Sequence, residues 1–348
     1  MSTVIMIVVA LLIFGAVVLV HELGHFIVAK LCRIKVNEFS IGMGPALLKF
    51  GKKETQYSLR ALPIGGYVAM EGEDDESDDS RSFRKAAIPK RFLVMIAGAF
   101  MNFVLGFLVL AIVTASSPAF ASTTVGEFIE GASTQQSGLQ INDTILRVNG
   151  RRTFVLTDVF YEFERTKSST VSMQVERDGK IVDLPAVVFD IEEVTDPDTG
   201  ETSRQMKQDF KVYGIKATFG SVLKQAGNQF LSYGRIIYLS LFDLITGNAA
   251  INQLSGPVGI VSEIGKAVSY GWRVVLNFLA LITINLGIFN LLPLPALDGG
   301  KVLLLIVEAI RRKPLNPKLE TAITVAGFAL LMMLMVFVSF NDIRRLFF

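Results

Sequence analysis

The 348-residue sequence predicts an α-helical polytopic membrane protein with about four transmembrane helices and one inserted extracytoplasmic domain of α+β structure. Hydrophobic residues make up 51% of the chain and the mean hydropathy is +0.48, which is more apolar than an ordinary soluble domain. Charged residues, at 19%, still leave room for a substantial aqueous part. Four apolar runs are long enough to cross a bilayer. They cover residues 4–29, 92–115, 274–297 with an apolar continuation to 307, and 322–340.

Net charge, cysteine content and the first apolar run narrow the class of protein further. A net charge of +2 gives no indication of nucleic-acid binding, so the expected surroundings are membrane lipid and no nucleic-acid partner is predicted. The single cysteine, Cys32, cannot form an internal disulfide, and the aqueous domain must be stabilised by its core alone. The first apolar run lacks a basic amino-terminal region and exceeds a typical signal-peptide core, which predicts a retained span.

The first apolar run ends in H-E-L-G-H at residues 21–25, which contains the chain's two histidines. Histidines at i and i+4 lie on one helix face, so His21 and His25 can converge on one Zn²⁺ while Glu22 acts on a water as general base. Ionisable groups at membrane depth are expensive and point to function. The alternative is a pair of helix-end histidines that extend to the interface.

The distribution of basic residues predicts the orientation in the membrane. No Lys or Arg precedes the first span, whereas the segment between the first two spans is rich in both, which places that segment in the cytoplasm. The basic cluster at 311–313 then also lies inside, and the long segment 116–273 lies outside with the amino terminus. At ~1.5 Å rise per residue His21 lies ~13 Å from Lys30, so the metal site is expected nearer the cytoplasmic face.

A catalytic zinc needs a third protein ligand and an open position. No histidine remains, and Cys32 lies ~10 Å along the helix axis from His25, too far to share a metal. The remaining candidates are acids at membrane depth: Asp298, Glu308 and Asp243.

Asp298 is the strongest of the three acids because it ends a broken apolar segment. Pro293, Pro295, Gly299 and Gly300 interrupt the helical pattern around it. Irregular backbone at membrane depth is tolerated only where it is buried in protein or lines a wet cavity, which predicts a site. The alternative is that Asp298 merely caps the next helix at an interface.

The inserted segment has the patterns of a small soluble module. Residues 125–129 and 141–150 are predicted strands, the second with an Asn-Gly turn, residues 154–166 have a helical pattern, and 171–179 alternate before an Asp-Gly hairpin signal. Two segments are expected to be solvated, the acidic run at 71–79 and an insertion at 196–202.

Residues 223–244 carry charges at intervals and predict an amphipathic helix at the membrane interface, with a span as the alternative. The resulting domain organisation has an amino-terminal membrane core, an extracytoplasmic domain, an interfacial helix with its connector, and a carboxy-terminal membrane core. Their predicted bounds are 1–120, 121–216, 217–272 and 273–348.

Three motifs together resemble the site-2 protease family of intramembrane zinc metalloproteases, and within it the bacterial RseP/RasP type. They are H-E-L-G-H at 21–25, A-G-A-F-M-N-F at 97–103 and N-L-L-P-L-P-A-L-D-G at 290–299. The resemblance implies His21, His25 and Asp298 as zinc ligands and Glu22 as the catalytic base.

The same resemblance implies further site residues and a second structural device. Residues 39–45 resemble the family's membrane re-entrant β-loop, and residues 62–68 its next cytoplasmic-side segment. The matching positions expected to contact an extended substrate or to line its cavity are Asn290, Pro293, Pro295, Asn102, Gly42 and Gly44. Within the inserted domain, S-G-L at 137–139 and D-T-I-L-R-V-N-G at 143–150 resemble a PDZ domain, which implies either peptide docking by strand addition or a steric filter.

The function that the resemblance implies is the second cut in regulated intramembrane proteolysis. Its substrates would be single-span membrane proteins, such as anti-sigma factors or signal-peptide remnants, already trimmed outside a bacterial cell membrane. A catalytically idle PDZ scaffold would lack one of the four core residues, all of which are present. A transporter with broken helices remains the third alternative, although it leaves H-E-L-G-H unexplained.

Overall fold

The computed structural model describes residues 3–51, 54–73, 77–166, 168–195, 202–247 and 255–347. The chain divides into two compact units, the first formed by Met1–Val109 with Ile237–Phe348 and the second by Leu110–Ile236. The centre of the expected acidic loop, 74–76, and most of the expected insertion, 196–201, lie outside the described residues.

Helices carry most of the first unit and a few lie in the second. The four with apolar stretches long enough to cross a membrane, among the described residues, confirm the four predicted spans and give a multi-pass membrane protein. These stretches are Val4–Leu31, Ile88–Ala115, Trp272–Asn290 and Lys318–Arg344. The helices are α1 (Thr3–Leu31), α2 (Ile88–Ala115), α3 (Ser133–Gln136), α4 (Leu156–Arg165), α5 (Phe219–Ile245), α6 (Pro257–Tyr270), α7 (Trp272–Asn290), α8 (Asp298–Arg311) and α9 (Pro317–Phe347).

Helix α1 shows why the first unit suits a membrane. One face packs Ala10, Ile13 and Val17 against Ile264 of α6, at the i, i+3, i+7 spacing of a helical stripe. The opposite face leaves large apolar side chains such as Leu12 exposed. A helix that is apolar all round is stable only where lipid or protein covers every face.

Two strands follow α1 and form the β-structure expected around residues 39–45 and 62–68. Strands β1 (Val36–Phe50) and β2 (Gln56–Met70) are antiparallel. Residues 38–41 pair on one side with 56–59 and on the other with 66–69, while 46–50 pair with 57–60. Residues 66–70 of β2 pair with β1 on one side only. Within the described residues no strand pairs with their other side, which is therefore an open edge. Its position relative to a membrane stays a prediction.

The broken helix predicted before Asp298 is confirmed. Helix α7 ends at Asn290 and α8 begins at Asp298, with a turn between them in which Ala296 has φ 73°. A Cβ on Gly299 or Gly300 would collide with the backbone carbonyls of this turn, which explains why only glycine follows the aspartate.

The second unit is built on a sheet of order β10-β3-β4-β6-β7, with β5 paired to β4 and a separate hairpin of β8 and β9. Its core includes Val125, Ile145 and Val175 from the sheet, Val159 from α4, and Phe189 directly after β7. The strands are β3 (Ala119–Phe128), β4 (Thr144–Val148), β5 (Arg151–Arg152), β6 (Thr170–Arg177), β7 (Lys180–Val188), β8 (Ile191–Thr195), β9 (Thr202–Met206) and β10 (Phe210–Lys216).

The local predictions for this unit are confirmed. Both residues of the Asn149-Gly150 and Asp178-Gly179 turns have positive φ, as tight hairpin turns require. The helix expected at 154–166 is α4, and the helix expected at 223–244 is α5. Helix α5 is not among the helices apolar enough to span, and its interfacial position stays a prediction.

Candidate metal centre

Three side chains converge on one point in the first unit. Helix α1 presents His21 and His25 one turn apart, with their Nε2 atoms 3.1 Å from each other. The first residue of α8, Asp298, places Oδ2 3.1 Å from Nε2 of His21 and 3.2 Å from Nε2 of His25. Both histidines are buried, and the three ligand atoms all lie within 4.8 Å of one another.

The chemistry of this cluster fits a divalent metal better than an ion pair. The distances are those of a salt bridge, yet the buried Oδ2 of Asp298 has no hydrogen-bond partner in the described chain. Oδ2 of Asp298 and the two Nε2 atoms are close enough together for one ion to contact all three. A buried carboxylate oxygen without a partner is costly, and a cation at that point removes the cost. Two imidazoles and one carboxylate are a ligand set that suits Zn²⁺ with an open fourth position.

Contacts on the far side of the imidazoles orient them. Nδ1 of His25 lies 2.7 Å from the carbonyl oxygen of Val94 on α2. Nδ1 of His21 lies 3.3 Å from the side-chain amide of Asn102, which is fully buried. The amide of Asn290 at the end of α7 lies 3.5 Å from both ring nitrogens of His21.

A glycine on α2 makes room for the two imidazoles. A Cβ on Gly98 would lie 2.6 Å from Cε1 of His21 and would collide with Nε2 of His25. Gly24 on α1 meets the backbone of Ala97 equally closely, so the two helices approach at small residues. Gly98 lies within the A-G-A-F-M-N-F motif but was not among the site residues predicted from the sequence. The sequence did contain a signal for Gly98, because it lies four positions, or one helical turn, before Asn102.

The catalytic candidate Glu22 lies in the same cavity as the three ligands. That cavity has a volume of about 450 Å³ and is also lined by the open edge of β2 and by Glu73, Met95 and Lys301. A Cβ on Gly66 would lie 3.5 Å from Cγ of Glu22, so the edge strand passes directly beside this carboxylate. Residues 67–70 of this edge were not singled out one by one from the sequence.

The other predicted site residues are divided between the cavity and its surroundings. Asn102 and Asn290 reach His21 as described above. Pro295 packs against Gly327 of α9, and Pro293 is exposed. Gly42 and Gly44 lie in β1 with positive φ, where Gly42 meets the backbone of Leu62. Neither proline and neither glycine lines the metal-site cavity.

The rival acid Glu308 has a different role. Its carboxylate accepts a hydrogen bond from Nη1 of Arg91 at 2.8 Å, and the pair is largely buried. An adjoining cavity of about 400 Å³ contains this pair, and it shares Glu73, Met95 and Lys301 with the metal-site cavity. The ion pair of Lys301 with Glu73, at 2.7 Å, thus lies where the two cavities meet.

Comparison with known proteins agrees with the geometry. Residues 9–334 match the model of "Peptidase family M50". A putative zinc metalloprotease of Clostridium acetobutylicum is 36% identical over 343 residues, covering 97% of each chain. One from Clostridium perfringens is 39% identical over 337 residues, covering 96% of this chain and 97% of the relative. The zinc metalloprotease RasP of Shouchella clausii is 32% identical over 415 residues, covering 96% and 98%. The chain therefore belongs to peptidase family M50, the site-2 protease family of intramembrane zinc metalloproteases.

Proposed function

We propose that this protein makes the second cut in regulated intramembrane proteolysis, hydrolysing a peptide bond in the spanning segment of a single-span membrane protein. The observation that carries the proposal is the cluster of His21, His25 and Asp298, with Glu22 in the same cavity and an open strand edge beside it. Candidate substrates are anti-sigma factors and signal-peptide remnants that have lost their outer domain in a first cut.

His21, His25 and Asp298 are the proposed zinc ligands. Zn²⁺ held there would act as a Lewis acid, which polarises a carbonyl group and lowers the pKa of water to about 7. Glu22 is the proposed general base: its carboxylate takes a proton from the attacking water and delivers it to the leaving amine.

The substrate is proposed to bind as an extended strand. A peptide bond inside a helix has its carbonyl occupied by an internal hydrogen bond, so the substrate span must unwind before it is cut. The open edge of β2 at 66–69 offers backbone groups to such a strand next to Glu22. The amide of Asn290 is placed to hold the strand from the opposite element, α7.

Water must reach the reaction from outside the bilayer. The adjoining cavity carries the charged groups of Arg91 and Glu308, and Lys301 with Glu73 stands between it and the ligands. We assign this chain of polar groups as the water route. The route is consistent with the orientation predicted from the basic loops, in which this end of the site is expected nearer the cytoplasm.

The second unit is proposed to be a PDZ domain on the outer side of a bacterial cell membrane, together with the amino terminus. The supporting observations are the S-G-L and D-T-I-L-R-V-N-G motifs, the sheet order and the contact of helix α4 with β3. A steric gate would exclude substrates that keep a folded outer domain. A docking domain would bind trimmed substrates by strand addition.

Deleting residues 125–216 separates these two roles. A gate predicts that the deletion permits cleavage of substrates with an intact outer domain and preserves cleavage of trimmed ones, and we favour this outcome. Docking predicts weaker cleavage of trimmed substrates. The deletion also removes Asp158 and Glu162, which the α5 residues Ser232 and Arg235 contact. Arg235→Met in the full chain is the matched control, because it disturbs α5 while the module stays.

The test of the proposed function uses purified full-length protein. We expect about one zinc ion per chain by metal analysis and cleavage of a reconstituted single-span substrate within its hydrophobic segment. The substrate cut should disappear in the Glu22→Gln protein, which excludes a contaminating protease. A folded protein with zinc but no cleavage would support the idle scaffold, and one without zinc would contradict the metal site.

A further inference from the structure

We propose that Asn102 is a positioning residue for His21. Its side-chain carbonyl accepts the Nδ1 proton of His21 and thereby fixes the tautomer that presents a bare Nε2 to the metal. The inference rests on the proposed zinc site and goes beyond it, because Asn102 touches neither the metal position nor the open strand edge.

Zinc binding requires a particular tautomer of each histidine. A neutral imidazole binds zinc through one nitrogen only when its proton is on the other nitrogen. Here the Nε2 atoms of His21 and His25 face each other and Asp298, so both protons must be on Nδ1. For His25 the acceptor is the carbonyl oxygen of Val94 at 2.7 Å. His21 needs an equivalent acceptor.

The side chain of Asn102 is the acceptor available to His21. The nearest polar group to Nδ1 of His21 on α2 is the amide of Asn102, at 3.3 Å, and Asn102 is fully buried. As placed, its nitrogen faces the ring, and its Oδ1 is buried without a partner in the described chain. An amide nitrogen donating to Nδ1 would force the ring proton onto Nε2, where it would block metal binding. Rotation of the amide exchanges the two atoms and turns Oδ1 toward the ring.

Asn102 and Asn290 both lie near His21 but differ in burial. Asn290 lies 3.5 Å from both ring nitrogens of His21 and is only partly buried, so it remains available to a substrate. Asn102 is enclosed, and its backbone carbonyl accepts a hydrogen bond from the hydroxyl of Thr283 at 3.3 Å. A rigid, dry acceptor behind a ligand raises the basicity of that ligand and keeps its ring in orientation.

The experiment compares Asn102→Asp with Asn102→Leu in the full-length protein. Aspartate keeps an acceptor oxygen in the same position but has no N–H, whereas leucine keeps only the volume. Zinc retention is measured by competition with a graded chelator, and Co²⁺ replacement reports the coordination through its visible absorption. We expect Leu to weaken zinc binding by about 10- to 100-fold and Asp to stay within a few-fold of the wild type.

Thr283→Val is the matched control, because it removes a buried hydrogen bond from the same residue of α2 without changing the acceptor at His21. Zinc affinity of the Leu variant equal to that of the wild type would overturn the inference. So would a folded Asp variant that loses zinc as strongly as Leu does, since this would show that the amide donates. If the wild type itself holds no zinc, the proposed function fails instead.

A second measurement remains decisive if the Leu variant does not fold. The chain has two histidines, so ¹⁵N-labelled histidine gives two ring systems by nuclear magnetic resonance. We expect the zinc-free wild-type protein to carry the Nδ1 proton on His21, with Nε2 as the unprotonated nitrogen. A His21 ring with its proton on Nε2 would overturn the proposal.

Discussion

Asp298 in the first unit is used in the opposite way to two buried acids of the second unit. In the second unit the carboxylate of Asp143 is fully buried and accepts two hydrogen bonds of 2.7 Å from Arg177 and one from the backbone of Gln140. Asp209 likewise accepts from the backbone and hydroxyl of Thr134. In the first unit Asp298 faces two imidazole nitrogens, and its inner oxygen is left without a partner.

The difference shows how a site is distinguished from a structural contact. Burial alone does not mark an acid of the first unit as functional, because Asp342 on α9 is buried too, yet it accepts backbone hydrogen bonds from Gly256 and Gly259 at the start of α6. Acids that hold structure have their donors supplied by the chain. Oδ2 of Asp298 has no such donor in the described chain and faces two imidazole nitrogens, an arrangement that a cation completes.

The largest expected effect follows from Glu22. Glu22→Gln should lower cleavage by at least the 10²- to 10⁴-fold that a general base contributes, to about the background, because an amide cannot accept the proton. Zinc content should be unchanged, since Glu22 is not one of the converging ligands. Turnover of a membrane-embedded substrate is the measurement, and a variant with near wild-type turnover would contradict the assigned mechanism.

Asp298→Ala should remove most of the bound zinc, because two ligands leave the coordination shell incomplete. Cys32→Ser, in the turn directly after α1, is the control and should leave the zinc content unchanged. Glu308→Gln should also keep zinc but lower the melting temperature, since it breaks the buried pair with Arg91. Zinc content is measured by metal analysis after gel filtration. Zinc loss in the Cys32 variant would contradict the conclusion that Cys32 lies too far from His25 to share a metal.

Gly98→Ala should weaken zinc binding by about tenfold or more, because its Cβ would occupy the space of both imidazoles. Gly106→Ala on the same helix is the control. Its Cβ would lie 2.6 Å from the side chain of Ile284, which disturbs packing away from the ligands. Chelator competition on both variants, with melting temperatures alongside, separates a metal defect from a folding defect. Equal zinc affinity in the two variants would contradict the role of Gly98.

The predictability of the site differs between its parts for a physical reason. His21, Glu22 and His25 are fixed by one helix period, and Asp298 by prolines and glycines that break an apolar run, so local sequence identifies them. Gly98 and the edge at 67–70 matter through contacts between distant elements, which no local spacing encodes. Spans, hairpin turns and α4 were predictable because hydropathy and turn chemistry act locally. The double pairing of residues 38–41 was not, since it depends on long-range register.

A smaller effect on the site is expected from the paired acids. Asp143→Ala removes the carboxylate that accepts from the guanidinium of Arg177 and from the backbone of Gln140, and leaves Arg177 only the carbonyl of Gly138. We expect destabilisation of the second unit by about 3 kcal/mol or more, with zinc content unchanged. Limited proteolysis between residues 116 and 236, compared with metal analysis, is the measurement. Loss of zinc in this variant would show that destabilising the second unit also disturbs the metal site of the first.

The smallest expected effect concerns a partly exposed acid of the first unit. Glu71 follows β2, and hydrogen bonds from Ser77, Asn37 and Lys35 hold its pKa at about 2, below the ordinary 4.5. Because the folded-state pKa is the lower one, this stabilisation is complete above about pH 4.5 and is lost as the pH falls towards 2. Glu71→Gln should therefore lower the melting temperature slightly at pH 6, and the difference from the wild type should shrink as the pH approaches 3. Exposed pairs contribute little, so a few degrees at most is expected. A difference that stays constant with pH would show that Glu71 acts through packing rather than charge.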